Sequence, residues 1–295
     1  MSQKKSYVPR TIKRKRRTKA ELDRIRQAIF KELQADHPQT IRGCFYQLTS
    51  KGAIDKTEKQ YKGTVIRLLV EMRIVGTVPF DWISDNTRWQ RKPRTWSSME
   101  AALNNTARTY RRALWDDQDA YVEIWCEKDA LAGVLLEETA KWDVPLMVSR
   151  GFASITYLHE CAQAIAAQGK PAYLYYFGDH DPSGVTIDKT IEKRLRQFAP
   201  DAEIHFERVA VTREQIDELK LPTRPTKQTD SRSKSFKGRS VEVDAIPASK
   251  LRELVRACIE RHVDQRQLEI TRVAERSEKE LLIDFAAKIE KRKGA

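Results

Sequence analysis

The stretch AYLYYFGDHDPSG, residues 172–184, sets the expected fold of this 295-residue chain. Its first half is a short apolar and aromatic run bounded by glycine, which is typical of a strand inside a parallel sheet. Its second half is polar and ends in Asp-Pro-Ser-Gly, a composition that favours a turn into a helix. The stretch therefore predicts a strand over 172–177 followed by a helix over 182–198.

Strand and helix patterns alternate on both sides of this stretch. Further strands are predicted at 121–126, 144–148 and 203–209, and further helices at 130–142 and 154–167. Because such alternation builds parallel sheets with crossover helices, the fold class is predicted to be α/β. The later elements are predicted as a loop over 222–239, an ordered segment over 241–246, a helix over 247–263 and a long surface helix after Asp264.

The first part of the chain has a different pattern, with three helical periodicities and then β-prone residues over 74–80. The periodicities run from about Ala20 to before Pro38, from beyond Thr40 to near Gly52, and over 57–73. Three helices followed by a short hairpin is the order of a winged helix, which binds duplex DNA. We therefore expect a basic tail over 1–19, a winged-helix domain over 20–96, a connecting helix over 97–119, and the α/β domain with C-terminal helices over 120–295.

Positive charge is concentrated in two segments of a chain whose net charge is +13. Residues 1–19 contain nine basic and no acidic residues, and residues 222–239 contain six basic residues and one acid. Such segments suit contact with the DNA backbone, although a basic tail can also serve only as a solvated terminus. A mixture of tryptophans and arginines over 82–96 also suits DNA contact, with core packing of a tryptophan as the alternative. The predicted DNA-contacting residues are Lys13, Arg14, Lys15, Arg16, Arg17, Arg88 and Arg91.

Several classes of protein and site are disfavoured. No apolar run is long enough for a membrane span, and residues 1–19 lack the apolar core of a signal peptide. We therefore expect a cytoplasmic, nucleoid-associated protein without a membrane partner. The histidines and cysteines show no zinc-ligand or disulfide spacing, so the cysteines are predicted to be buried thiols. These are Cys44, Cys126, Cys161 and Cys258.

Acidic residues follow two of the predicted strands. Glu127 follows the strand over 121–126, and Asp179 and Asp181 follow the strand over 172–177. Because the carboxyl ends of parallel strands meet at one edge of a sheet, we expect these carboxylates to converge and bind a hard cation such as Mg²⁺. The alternatives are a helix cap for Asp181 and a surface ion pair of Glu127 with Lys128.

A glutamate after the first strand and an Asp-x-Asp after a later one resemble the Toprim domain of topoisomerases, primases and some nucleases. The resemblance covers about residues 120–208. It implies that Asp179 and Asp181 bind magnesium, and that Glu127 is a metal ligand or general acid. Glu242 and Asp244 are two further acids that the fold could bring near the metal, although acids beside a strand are usually solvated.

The run TIRGCFY, residues 40–46, resembles the tyrosine motif of the topoisomerase VI A subunit and the meiotic double-strand-break transesterases. The chain is most similar to the small stand-alone mini-A proteins, but it has Gly43 where that family usually has an acid. Arg42 and Tyr46 are four residues apart and share a helix face, so both can meet one phosphate, and Arg42 can stabilise the phenolate. In the alternative interpretation, Phe45 and Tyr46 are core aromatic residues and Arg42 is solvated.

This resemblance implies magnesium-dependent cleavage of double-stranded DNA by a homodimer. Tyr46 would attack a phosphodiester to give a 5′-phosphotyrosyl link, and the tyrosine of one subunit would act with the metal site of the other. Religation and an ATPase B-type partner stay open. The alternatives are a Toprim nuclease that uses water and a DNA-binding regulator without catalysis.

Overall fold

The computed structural model describes residues 17–84, 94–225, 236 and 238–293. Arg17 is therefore the one predicted DNA-contacting residue within the described ranges. The others, Lys13, Arg14, Lys15, Arg16, Arg88 and Arg91, lie outside them, as does Trp89.

Helices form the first part of the described chain, as predicted. They are α1 (Lys19–Ala35), α2 (Ile41–Ser50), α3 (Glu58–Gln60), a π-helical segment (Tyr61–Ile66) and α4 (Arg67–Ile74), the last three being consecutive. Thr18 caps α1 in a capping box with Glu21, and Thr40 caps α2 by accepting a hydrogen bond from the Gly43 amide. The polar residues that begin these helices therefore explain where they start.

The predicted hairpin after α4 is not found among the described residues up to Ser84. The chain turns at Gly76, where φ is 78°, and the amides of Thr77 and Val78 both donate to the Met72 carbonyl, at 2.9 and 3.3 Å. A 3₁₀ turn over Phe80–Trp82 follows. These β-prone residues therefore complete the end of a helix, and the winged-helix assignment stays a prediction.

The second part is an α/β structure with a four-stranded parallel sheet in the order β2-β1-β3-β4, compatible with a Rossmann-like domain. After α5 (Met99–Thr109), the elements through the sheet are β1 (Tyr121–Cys126), α6 (Ala132–Thr139), β2 (Leu146–Val148), α7 (Ile155–Gln168), β3 (Ala172–Phe177), α8 (Gly184–Phe198) and β4 (Ile204–Ala210). The remaining helices are α9 (Arg213–Glu218), α10 (Ala248–Glu260) and α11 (Gln265–Lys293). The predicted bounds of β1 and β3 are confirmed, as is the long final helix.

Alternate residues of the strands face two apolar layers, as the period of two requires. Trp125 packs with α7 and α8, whereas Val122 and Ile124 belong to a cluster that includes α6 and α10. Buried residues of α1, α2 and α4 belong to this second cluster too, so the helical and α/β parts share a core. All four cysteines are buried and free, as predicted. Within the described ranges, no helix combines the length and apolar content needed to cross a membrane.

Candidate active site

The carboxyl ends of β1 and β3 lie side by side and bring Glu127 to Asp179. Cys126 pairs with Phe177 in the sheet, and the Glu127 amide donates to the Phe177 carbonyl at 2.9 Å. Glu127 Oε2 in turn accepts hydrogen bonds from the Asp179 amide at 3.0 Å and the Tyr176 hydroxyl at 3.3 Å. The two predicted strand-end acids therefore meet in the structure.

Two glycines allow the loop after β3 to fold this tightly. A Cβ atom on Gly178 would lie 2.6 Å from Glu127 Oε2 and 2.5 Å from the Tyr176 ring, and one on Gly184 would lie 2.1 Å from the Asp179 carbonyl oxygen. At Gly184 the contact is with the backbone, which would have to move, and at Gly178 the Tyr176 ring and the Glu127 carboxylate would have to move. Glycine at both positions is therefore a requirement of the loop that carries Asp179 and Asp181.

Glu127 is buried beside other carboxylates. Burial raises the pKa of Glu127 to about 7, and the negative charges of Asp179 and Asp181 act in the same direction. Asp181 Oδ1 accepts a hydrogen bond from the amide of Gly184, the first residue of α8, at 2.8 Å, and its Oδ2 lies 3.4 Å from the Arg224 guanidinium. Asp181 therefore bonds to the start of α8, as the capping alternative expects, although the residue in the N-cap position is Ser183.

The donor chemistry of these three carboxylates suits magnesium, which prefers oxygen ligands. The positions of the three side chains, however, do not form a complete set of metal ligands. In the described part of the chain, no three or more His, Cys, Asp or Glu side chains form a group that could hold a metal ion. The magnesium site therefore stays a prediction.

Lys128 is a cation at the centre of this edge, which the sequence did not indicate. Its ammonium lies 2.8 Å from Asp244, 3.0 Å from Asp179 and 3.2 Å from Glu242. Burial acts to lower the pKa of Lys128, but the three carboxylates outweigh it and raise the pKa well above its usual value. Lys128 is therefore charged, and its ion pairs are with these acids and not with Glu127 at the surface.

Glu242 and Asp244 are buried, which corrects the expectation that they are usually solvated. Their exposed fractions are 7% and 2%. The backbones of His180 and Val241 exchange two hydrogen bonds, at 2.9 and 3.0 Å, so the segment lies against the loop after β3. Burial acts to raise the pKa of both acids, but the charge of Lys128 opposes it and both pKa values are lowered. The apolar alternation over 241–246 is the sequence signal that could have placed both acids on one face.

Helix α2 is attached to the same edge through its cap. The Thr40 hydroxyl accepts from the Gly43 amide at 2.8 Å and donates to Asp244 Oδ1 at 2.6 Å. A Cβ atom on Gly43 would lie 3.3 Å from Thr40 Oγ1 and 3.6 Å from the Asp244 carbonyl oxygen. A side chain at this position would therefore be tight against the Thr40 hydroxyl, whereas the Asp244 carbonyl oxygen lies at an ordinary contact distance.

Tyr46 lies inside the shared core, with 3% of its surface exposed, and packs against Phe45 with ring centroids 5.5 Å apart. Burial raises the pKa of Tyr46 above its usual range, and the charge of Glu242 adds to this rise. The positive charges of Arg42, Lys128 and Arg224 act in the opposite direction. Tyr46 is therefore both a core aromatic residue and a neighbour of the charged edge.

Arg42 is not the solvated residue of the alternative interpretation. Its guanidinium lies 4.0 Å from the centre of the Tyr61 ring, 3.2 Å from Glu58 and 3.7 Å from Glu242. Lys56 adds a further cation, 5.3 Å from the centre of the Tyr46 ring. The face of α2 that carries Arg42 and Tyr46 is therefore directed towards the acidic edge, with Lys56 as a second cation beside it.

Other predicted residues lie away from this edge or serve local structure. Arg17 donates to the Thr64 hydroxyl at 2.8 Å, and Trp82 stacks on His37 at 4.7 Å. The structure therefore supplies a local role for each of these residues.

Comparisons with known proteins add no family. No protein-family model matches the sequence, and a search of curated proteins finds no match. The resemblance to the topoisomerase VI A family therefore depends on the Toprim-like acids and on the motif over 40–46.

Proposed function

We propose that this protein is a magnesium-dependent, DNA-cleaving transesterase of the type IIB topoisomerase kind, with a winged-helix region that carries Tyr46 and a Toprim region that carries the metal ligands. The observation that carries the proposal is the attachment of α2 to the acidic edge by the 2.6 Å hydrogen bond between Thr40 and Asp244. Two motifs far apart in the sequence, each with its own predicted role, thereby share one charged cluster.

The reaction would begin when the Tyr46 oxygen attacks a backbone phosphorus of double-stranded DNA. The new bond joins Tyr46 to the 5′-phosphate, the bond from phosphorus to the 3′ oxygen breaks, the phenolic proton passes to solvent, and the 3′ oxygen takes up a proton. Magnesium held by Glu127, Asp179 and Asp181 would stabilise negative charge on the phosphoryl oxygens.

The cations around Tyr46 support the same chemistry. Arg42, Lys128 and Arg224 act to lower its pKa, and Lys56 lies over its ring. The cations Arg42, Lys128 and Arg224 are paired with acids in the free protein, and they would help to stabilise a phenolate, while Arg42 has the planar fork that fits a phosphate. Binding of DNA would have to expose the Tyr46 hydroxyl, since the side chain is 3% exposed.

The test is a denaturing gel of protein incubated with duplex DNA and magnesium. Wild-type protein should form a covalent adduct, and Tyr46→Phe should reduce its formation by about 1,000-fold or more because only the nucleophilic oxygen is removed. Tyr61→Phe is the matched control, since Tyr61 stacks on the same Arg42 but lies outside the motif. Adduct formation by Tyr46→Phe at the wild-type rate would overturn the proposal.

The burial of Tyr46 favours a second candidate, in which the same acidic edge hydrolyses DNA with water and the tyrosine only packs the core. The same gel separates the two candidates. Hydrolysis gives free fragments without an adduct, and these persist in Tyr46→Phe but are lost in Asp179→Asn.

A double-strand break needs two nucleophiles, so we propose a homodimer that acts on both strands. The hydrogen bond from Thr40 to Asp244 attaches the helix of Tyr46 to the acidic edge of its own chain, whereas the family resemblance implies that Tyr46 of one subunit acts with Glu127 of the other. Mixed dimers of Tyr46→Phe and Glu127→Gln chains would then hold one complete site and should nick one strand. Absence of nicking in dimers shown to be mixed would place the whole site within one chain.

A further inference from the structure

The guanidinium of Arg208, in β4, donates hydrogen bonds to the loop that carries Asp179 and Asp181. Its Nη1 donates to the carbonyls of Gly178 and Asp179 at 3.1 and 3.3 Å, and its Nη2 donates to the carbonyl of Gly184 at 2.7 Å. Its Nε pairs with Asp188 of α8 at 2.5 Å. The side chains of Arg208 and Asp188 are 16% and 11% exposed. One largely buried cation therefore holds both ends of the loop.

A β-bulge between β3 and β4 sets the direction of the Arg208 side chain. Tyr176 pairs with Arg208, but the next residue, Phe177, pairs with Ala210, so one residue of β4 is extra at the carboxyl end of the sheet. Bulges of this kind redirect side chains beside functional sites. The guanidinium also lies 5.1 Å from the centre of the Tyr176 ring, and the Tyr176 hydroxyl donates to Glu127. Arg208 therefore contacts the neighbours of both predicted acidic clusters.

We propose that Arg208 is a positioning residue, which sets the direction of Asp179 and Asp181 through the backbone carbonyls and of Glu127 through Tyr176. The requirement is for arginine, because a planar group with several fixed donors can satisfy separated carbonyls together and an ammonium cannot. This inference rests on the proposed function only for the claim that the acids bind a metal ion. The contacts of Arg208 with the loop are observed independently of that claim. Arg208 is thereby distinguished from the predicted DNA contacts, because its donors are directed at the protein.

The experiment uses Arg208→Lys, which keeps the charge, beside Arg196→Lys as control. Arg196 lies on α8 and forms an exposed pair with Glu192, four residues away. Hydrogen exchange of the amides over 178–184 should be about 10-fold faster in Arg208→Lys, and the dissociation constant for Mn²⁺, followed by electron paramagnetic resonance, should rise by about 10-fold. Exchange in α1 and α2 and affinity for duplex DNA should equal those of the control.

Unchanged exchange over 178–184, or faster exchange throughout the protein with no local excess, would overturn the positioning role. Asp188→Asn provides a second variant if Arg208→Lys folds poorly, and it should give a smaller effect in the same direction, since the carbonyl contacts remain. Failure of the proposed function looks different. Wild-type protein would then form no adduct and no fragments, while Arg208→Lys would still accelerate exchange over 178–184.

Discussion

Two sets of buried carboxylates in the described part of the chain have contrasting surroundings. At the edge of the sheet, Asp179, Glu242 and Asp244 surround the Lys128 ammonium within 3.2 Å. Inside the sheet, Glu123 is 1% exposed and accepts hydrogen bonds only from neutral donors, the Tyr121 hydroxyl at 2.9 Å and the Trp125 indole at 2.7 Å, among the bonds to its side chain that the structure describes.

The consequence is a difference in charge. Burial raises the pKa of Glu123 to about 7, because hydrogen bonds from Tyr121 and Trp125 only partly offset the loss of solvent. At the edge, Lys128 holds the pKa values of Glu242 and Asp244 below their ordinary values despite their burial. Burial of an acid is therefore not by itself a mark of function. What distinguishes the edge is that the cation Lys128 keeps the pKa values of Glu242 and Asp244 low, whereas burial raises those of their neighbours Asp179 and Glu127.

The largest expected effect is that of Lys128→Met, which would leave the buried Asp179 and Asp244 without the cation they share, while Glu242 keeps its pair with Arg224 at 2.6 Å. The free energy of unfolding should fall by about 3–5 kcal/mol, measured by denaturant titration. Lys141→Met is the control, because Lys141 is exposed and its partner Glu138 keeps a second cation, Arg256. The control should lose about 1 kcal/mol or less. Equal losses in the two variants would show that the edge acids are not held in their charged form.

Glu123→Gln tests the neutral site through pH. The folded-state pKa of about 7 exceeds the unfolded value, so the stability that the neutral carboxyl contributes is present below about pH 4.5 and is lost as pH rises through 7. The variant should therefore be close to wild type at pH 4.5 and more stable by up to about 3 kcal/mol at pH 8. The Tyr121 hydroxyl can rotate to accept from the new amide, so both hydrogen bonds can persist.

Thermal or denaturant unfolding at the two pH values provides the measurement for Glu123→Gln. The nearest titratable groups on α7 are Tyr157 and Cys161, and burial raises both of their pKa values, so neither gains charge in this pH range. A stability difference that does not change between pH 4.5 and pH 8 would mean that Glu123 is ionised throughout, as at the edge.

The smallest expected effect on the free energy of unfolding comes from Thr40, whose neutral hydroxyl donates a hydrogen bond to Asp244. Thr40→Ala should cost about 2 kcal/mol, because it removes both the cap of α2 and the buried hydrogen bond to Asp244. Thr57→Ala removes an exposed cap alone, the bond to the Gln60 amide, and should cost about 1 kcal/mol. Equal costs, measured by chemical unfolding, would mean that the contact with Asp244 contributes nothing.

Prediction from sequence succeeded where the signal is local and failed where long-range packing decides. The apolar runs of β1 and β3 mark their own ends, and the adjacency of parallel strands then brings Glu127 to Asp179. The partners of Lys128 include Glu242 and Asp244, which are 114 and 116 residues away, and no local pattern connects them. The β-prone residues after α4 misled for a related reason, since only Val78 is buried while Val75 and Phe80 are exposed.

The hydrogen bonds that join the region around α1 and α2 to residues 244 and 252 also have a consequence for synthesis of the chain. Thr40 and its partner Asp244 are separated by 204 residues in the sequence, and Asp36 and its partner Arg252 by 216 residues. At roughly 5–20 residues per second, a ribosome needs about 10–40 s to supply these partners. Throughout that interval α2 lacks Asp244, to which its capping residue is bonded, and a growing chain that ends before Glu242 cannot complete the charged cluster beside Tyr46. Under the proposed function, the chain could cleave DNA only after synthesis has passed residue 244. Incomplete chains would therefore not damage the genome.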